Sequence, residues 1–229
     1  MPPAETAAGA ADSRLIDYYS RRVPEYEQIY ALPERQADLG ALATFLPALV
    51  AGRDVLEIAC GTGYWTERMA PAARSWLATD LSAEMLDAAR GKSYPSGRVR
   101  FAQADAYAVE SLPGRFDALV SGFLWSHLPR AALPALTAAL ARRLQPGSRL
   151  VFFDNRFVAG SSSPVSRRDP DGNTWQRRQL RDGSSFEVIK NFPAAAELLA
   201  AGRAIGGTVS LIELPYFWCL AVTTGAVAR

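Results

Sequence analysis

Two rhythms of apolar residues divide the chain. Between positions 54 and 157, short runs rich in β-branched and aromatic side chains recur, at 54–59 (DVLEIA), 75–81 (SWLATDL), 99–105 (VRFAQAD), 116–123 (FDALVSGF) and 148–157 (SRLVFFDNRF). Each has the length and composition of a strand. Stretches with helical spacing stand among them, at 64–70 (YWTERMA), 82–92 (SAEMLDAARGK) and 130–144 (RAALPALTAALARRL), the last stopped by QPG. In the second of these Ser82 is the expected N-cap, and Met85, Leu86 and Ala89 share one face. Strands alternating with helices predict βαβ units, and so a doubly wound α/β fold around a parallel sheet.

The two ends follow other patterns. Residues 12–49 predict two helical stretches broken at Pro24 and Pro33, with Tyr18, Tyr19, Tyr26 and Tyr30 in the first. Near the other end, 193–205 predicts a helix, and the strands 208–214 and 216–224 follow with only Pro215 between them. A connection that short forces the two strands to pair antiparallel. The polar stretch 156–191 is an insertion, in which 174–180 and 184–190 flank Arg-Asp-Gly and predict a hairpin. The expected organisation is a flexible tail over 1–11 and a single domain over 12–229, with a helical cap at 12–52 and the hairpin insertion at 156–191.

Composition narrows the picture. A chain of 229 residues can bury a sizeable core within one domain. It is 49% hydrophobic and 21% charged, a globular balance, and no run approaches the roughly eighteen apolar residues of a membrane span. The opening MPPAETAAGAADS has neither the basic nor the apolar region of a signal peptide, so the cytoplasm is the expected compartment. Net charge is only +2, and the 25 basic residues, of which only Lys92 and Lys190 are lysines, are spread along the chain. No nucleic-acid partner is expected from that distribution. Cys60 and Cys219 stand far apart and His127 is the sole histidine, so no metal site or disulfide framework is expected.

The candidate chemistry begins at VLEIACGTGYW, residues 55–65. Gly61 and Gly63, between a strand and a helix, let backbone N–H groups approach a ligand at the carboxyl end of the sheet. A P-loop is excluded because no Gly-Lys-Ser/Thr follows. A dinucleotide site would use Gly61 and Gly63 with Asp80 as its ribose acid, yet Thr66 stands where the third glycine belongs and Glu57 would bring negative charge towards a pyrophosphate. A ligand with adenosine at one end and positive charge at the other reverses that objection. S-adenosylmethionine has no phosphate, a sulfonium and an ammonium group. Glu57 then suits the cation, Asp80 the ribose hydroxyls, and Asp105, closing the third strand, the adenine amino group.

With these residues the chain resembles the class I S-adenosylmethionine-dependent methyltransferases, over 54–154 for the core motifs and 12–229 for the topology. The family's first motif is matched by Glu57, Gly61 and Gly63 in LEIACGTG, with Ala59 where the family has its first glycine. Asp80 in ATDLSAEML falls on the ribose acid, with Leu81 and Met85 placed to pack the adenine, and Asp105 on the acid after the third strand. The resemblance implies a seven-stranded, mostly parallel Rossmann-like sheet with an antiparallel last strand and an N-terminal helical lid. It also places Tyr19, Ala106, Gly122 and Phe123 on the cofactor. FDALVSGFLWSHLP is similar to the small-molecule branch, including the ubiquinone and menaquinone methyltransferases, whereas the Pro-Pro-Tyr tetrad and Pro-Cys nucleophile of base-modifying enzymes are absent. The implied activity is in-line transfer of a methyl group to an O, N or C nucleophile of a small molecule, without metal, by a monomer or homodimer. A nicotinamide-dependent oxidoreductase and a non-catalytic cofactor-binding partner protein are the alternatives.

His127, following the fourth strand, is the candidate general base; anchoring its own loop is the other reading. Tyr18 and Tyr19 belong either to the lid or to a packing face. Tyr18, Trp125, Asn155, Arg156, Trp175, Arg177 and Arg178 are the candidate acceptor contacts, and Trp65 and Trp218 are read as packing residues.

Overall fold

A computed structural model describes residues 8–225, and side chains from Leu15 onward. In chain order the strands are β1 (Asp54–Ile58), β2 (Ser75–Asp80), β3 (Val99–Gln103), β4 (Phe116–Gly122), β5 (Leu144–Asn155), β6 (Arg167–Arg168), β7 (Thr174–Gln179), β8 (Ser185–Ile189), β9 (Thr208–Glu213) and β10 (Phe217–Thr223). Seven of them form one sheet in the order β3-β2-β1-β4-β5-β10-β9, and β6, β7 and β8 form a small sheet apart. β1 pairs parallel with both β2 and β4, and β10 pairs antiparallel with β5 and with β9. The antiparallel last strand is thus an interior strand, slotted between β5 and the edge. Because the chain leaves β1 towards β2 and later returns to β4 on its other side, the sheet has its switch point between β1 and β4. A crevice opens there at the strands' carboxyl ends.

Alternation along each strand makes two cores. Val55, Trp76, Ala118, Val151 and Cys219 face one layer, where Leu42 and Leu46 of helix α2 (Gln36–Val50) and Trp65 and Met69 of α3 (Tyr64–Met69) pack on them. Leu56, Leu77, Leu119, Phe152 and Leu220 face the other, under Leu136 and Leu140 of α5 (Leu133–Arg142) and Leu198 of α6 (Ala195–Ile205). Side chains of this kind contribute roughly 1.5–3 kcal/mol each when fully buried. α4 (Ala83–Arg90) starts at Ser82, whose Oγ accepts from the Met85 N–H at 3.1 Å, and it buries Met85, Leu86 and Ala89. Trp65 and Trp218 are both core residues.

At the N-terminus α1 spans Ala8–Arg22, beginning inside the stretch expected as a tail; residues 1–7 lie outside the described residues. Pro24 and Pro33 each open a 3-10 turn, at Val23–Ala31 and Pro33–Arg35, because proline at a helix start gives up no hydrogen bond. The QPG stretch differs from expectation: α5 ends at Arg142, and Leu144 already pairs with Phe116, a bulge then absorbing the following residues before Arg149 meets Ala118. β7 and β8 pair antiparallel, with Trp175 opposite Ile189 and Gln179 opposite Ser185.

Candidate functional site

The crevice at the switch point is a cleft of about 890 Å³. Its wall brings together Tyr19, Ala59, Gly61, Asp80, Leu81, Met85, Asp105, Ala106, Gly122 and Phe123, all expected on the cofactor, and adds Leu15, Ile16, Tyr26 and Leu128. Backbone geometry explains the turn. Ala59, Gly61 and Gly63 have φ of 57°, 56° and 77°, so the chain reverses through left-handed residues that only glycine adopts freely. Ala59, where the family has glycine, therefore carries backbone strain as well as its methyl group. The Asp80 carboxylate ties the turn down, accepting from the Gly61 N–H at 2.8 Å and the Ser82 N–H at 2.9 Å. Burial raises its pKa. Asp105 caps the next turn by accepting from the Tyr107 N–H at 2.8 Å. Gly63 opens α3 without lining the cleft; a Cβ there would meet the Tyr94 hydroxyl at 2.5 Å.

Glu57 sits behind the turn. It lies on the same strand face as Val55, beneath α3, and does not reach the cleft wall. Its Oε2 accepts from Thr66 Oγ1 at 2.6 Å and from Trp76 Nε1 at 2.7 Å, and burial raises its pKa to about 7. Thr66, the residue that spoils a dinucleotide fingerprint, is here the donor that satisfies this acid. Glu57 supports the turn from below.

A second chamber of about 1320 Å³ adjoins the first, and the two share Tyr19, Tyr26, Phe123 and His127. Phe123 also holds a left-handed backbone, φ 62°, with its N–H on the Phe153 carbonyl at 2.8 Å. His127 is fully engaged. Its Nδ1 lies 2.8 Å from the Ile189 carbonyl oxygen, which can only accept, so Nδ1 carries the proton. Nε2 is then an acceptor, receiving the Tyr19 hydroxyl at 2.6 Å, with Lys190 Nζ at 3.4 Å. Burial, then the charges of Lys190 and Arg178, hold the His127 pKa well below its usual value. A neutral imidazole whose lone pair already accepts from Tyr19 is a poor general base.

Among the expected acceptor contacts, Tyr18, Asn155 and Arg178 line the second chamber. The others do not. Trp125 is core, edge-on to Phe152 and Trp218. Arg156 is exposed, bonded to the Leu214 carbonyl and paired with Glu213. Trp175 and Arg177 alternate with Gln176 and Arg178, so they face away from the chamber. Arg22, Arg35 and Lys190 line it instead, and sequence reasoning missed all three. Lys190, one of two lysines in an arginine-rich chain, was the only one with a compositional signal.

Comparison with known proteins fixes the family. Residues 55–147 match the model of a methyltransferase domain. The malonyl-[acyl-carrier protein] O-methyltransferase of Enterobacter lignolyticus is 34% identical, the match covering 90% of this chain and 81% of that protein. A ubiquinone biosynthesis O-methyltransferase of Methylococcus capsulatus is 34% identical over 45% of this chain and 44% of its own length. The DhpI–SAH complex superposes with a TM-score of 0.74 at 30% identity, covering 96% of this chain and 99% of that one, and a DhpI–SAM–HEP complex has the same TM-score. The chain belongs to the class I S-adenosylmethionine-dependent methyltransferases. The nicotinamide alternative drops out. Among the described residues no helix is long and apolar enough to cross a membrane.

Two predictions follow from the turn. Ala59→Gly removes a left-handed alanine worth roughly 1–2 kcal/mol of strain against the ~0.5–1 kcal/mol entropy that glycine loses on folding. Chemical denaturation should show the variant equal to or slightly more stable than the parent, with S-adenosylhomocysteine affinity retained; a clear loss of stability contradicts the strain. For Glu57 the folded pKa of about 7 lies above the ordinary 4.5, so as pH rises between these values the unfolded chain ionises first and stability falls. Thermal melts of the parent and of Glu57→Gln across that window should therefore diverge, the parent losing more stability with rising pH. Parallel curves would show that Glu57 is not a buried neutral acid.

Proposed function

We propose that the protein transfers the methyl group of S-adenosylmethionine to an oxygen of a small-molecule acceptor bound in the second chamber. The observation that carries this reading is the junction. Cleft and chamber meet at Tyr19, Tyr26, Phe123 and His127, so a donor in one and an acceptor in the other face each other there. When bound, S-adenosylmethionine supplies a methyl group already activated on a sulfonium, and the protein's part is binding, orientation and exclusion of water. Alignment of this kind can lower a barrier by roughly 7–11 kcal/mol.

The residues present suit that cofactor. Asp80 has lone pairs beyond its two backbone bonds to accept from ribose hydroxyls, and Asp105 is placed for the adenine amino group. Leu81, Met85 and Leu128 offer apolar surface for the ring. α1 acts as the lid: Ser20 Oγ lies 2.9 Å from Ser82 Oγ and donates to Glu84 Oε2 at 2.9 Å, while Arg21 reaches Asp182 of the hairpin at 2.6 Å. One helix thus spans the cofactor side and the insertion. His127 serves as a positioning residue that holds the Tyr19 hydroxyl at the junction. An oxygen acceptor agrees with the O-methyltransferases among the relatives, and a cytoplasmic monomer or homodimer acting on small molecules is the simplest setting.

Asp80→Asn tests the cofactor half. Isothermal titration should show S-adenosylhomocysteine binding weakened by roughly tenfold or more, the loss of charge-assisted bonds worth ~1.5–3 kcal/mol each. Unchanged affinity would remove Asp80 from the ribose and place the donor elsewhere.

A further inference from the structure

The chamber beside the cofactor cleft is cationic. Arg22, Arg35, Arg178 and Lys190 reach its wall against a single carboxylate, Glu25, which Arg181 engages at 3.4 Å. Among the described residues no carboxylate stands within 4.0 Å of Arg22, Arg35 or Arg178. Their partners are neutral. Arg35, only 5% exposed, donates to Asn155 Oδ1 at 3.1 Å and Ser161 Oγ at 3.3 Å, and its Nε is buried with no partner. Arg178 donates to Ser163 Oγ at 2.7 Å and Gln176 Oε1 at 2.6 Å. Arg22 lies over the rings of Tyr18 and Tyr26. Lys190 has Asp154 at 3.4 Å, but that carboxylate also accepts the N–H groups of Ser126 and Asn155.

Guanidinium groups withdrawn from water without a carboxylate are unfavourable, and burial accordingly lowers the pKa of Arg35 and Arg178. An anionic ligand would supply the missing charge, and the planar guanidinium fork matches the paired oxygens of a carboxylate or phosphoryl group. We propose that the methyl acceptor is a small oxyanion, a carboxylate or a phosphoryl group, held by Arg22, Arg35 and Arg178 and methylated on oxygen.

This rests on the reading of the adjoining cleft as the methyl-donor site. A lone pair of the oxyanion forms the O–CH3 bond as the S–CH3 bond breaks, and the breaking pair stays on sulfur as a thioether. One negative and one positive charge cancel, and no proton leaves. The chemistry therefore needs no general base, which agrees with a His127 whose Nε2 is already occupied. Methylation also removes one negative charge from the acceptor, so the same cations hold the ester product less tightly and favour its release.

The test uses the protein saturated with S-adenosylhomocysteine, titrated calorimetrically with acetate and with methylphosphonate, and with their neutral counterparts acetamide and dimethyl methylphosphonate. At least one anion should bind and its neutral counterpart should not, and which anion binds tells carboxylate from phosphoryl. Arg178→Gln, at a partly buried hairpin position, should weaken that binding by roughly tenfold or more while S-adenosylhomocysteine affinity stays within about twofold, which also reports an intact fold. Arg178→Lys should recover part of it. Equal binding of anions and neutral analogues, no binding of either anion, or an Arg178→Gln variant that binds the anion like the parent overturns the proposal. Failure of S-adenosylhomocysteine itself to bind would instead overturn the donor-site reading.

Discussion

The Tyr19–His127–Ile189 hydrogen-bond chain is the constraint on which the site depends. The Tyr19 hydroxyl donates to His127 Nε2, and His127 Nδ1–H donates to the Ile189 carbonyl. Three segments far apart in sequence, α1, the loop after β4 and the end of β8, are held by one imidazole. The loop is fixed from its other side as well: Asn191 N–H donates to the Ser126 carbonyl at 2.7 Å, Lys190 Nζ to Ser126 Oγ at 2.6 Å, and the Ser126 N–H to Asp154 Oδ2 at 2.9 Å. Burial raises the Tyr19 pKa and lowers that of His127, so the phenol keeps its proton and the imidazole keeps its lone pair. Both shifts favour the same bond. In these protonation states the phenol is the donor and the imidazole the acceptor, and the bond ties α1 to the loop after β4 and, through Nδ1, to the end of β8.

Strain is concentrated around the same cleft. Among the described residues the non-glycine residues with positive φ are Ala59, in the glycine turn, and Phe123, at the junction of cleft and chamber. Strained backbone persists where the surrounding structure over-determines it. Phe123 is held by its N–H bond to Phe153 and by edge contacts with Tyr30, Phe153 and Phe217, and Gly122 before it has no room for a side chain because a Cβ would meet the Phe153 ring at 2.4 Å. The packing of β5 and β10 against the end of β4 therefore sets the wall past which the methyl group would travel.

Much of the fold was legible because its signals are local. The alternation in DVLEIA and FDALVSGF, the Ser82 cap and the short connection between the last two strands each name an element by short-range physics, although that connection takes in Leu214 and Tyr216 as well as the expected Pro215. That Asp80 and Asp105 share one cleft was legible for the same reason, since they follow one another at the ends of β2 and β3. The partners of Glu57 were less legible: with period two it shares a face with Val55, under α3, where Thr66 and Trp76, distant in sequence, donate to its Oε2. Trp175 and Arg177 were chosen by proximity in sequence, whereas strand register hands the chamber to Gln176 and Arg178. The cationic chamber itself was not legible. Arg22, Arg35, Arg178 and Lys190 come from α1, a 3-10 turn, β7 and the residue after β8, and no spacing connects them.

Because His127 is the only histidine in the chain, its imidazole can be observed without ambiguity. The most direct test of the account is therefore the nitrogen chemical shifts of that ring in protein labelled with 15N histidine, followed across the pH range in which a free histidine titrates. The structure predicts a neutral ring with the proton on Nδ1 and an unprotonated Nε2 throughout. A ring that titrates near its ordinary pKa of 6.5, or one that carries its proton on Nε2, would contradict it.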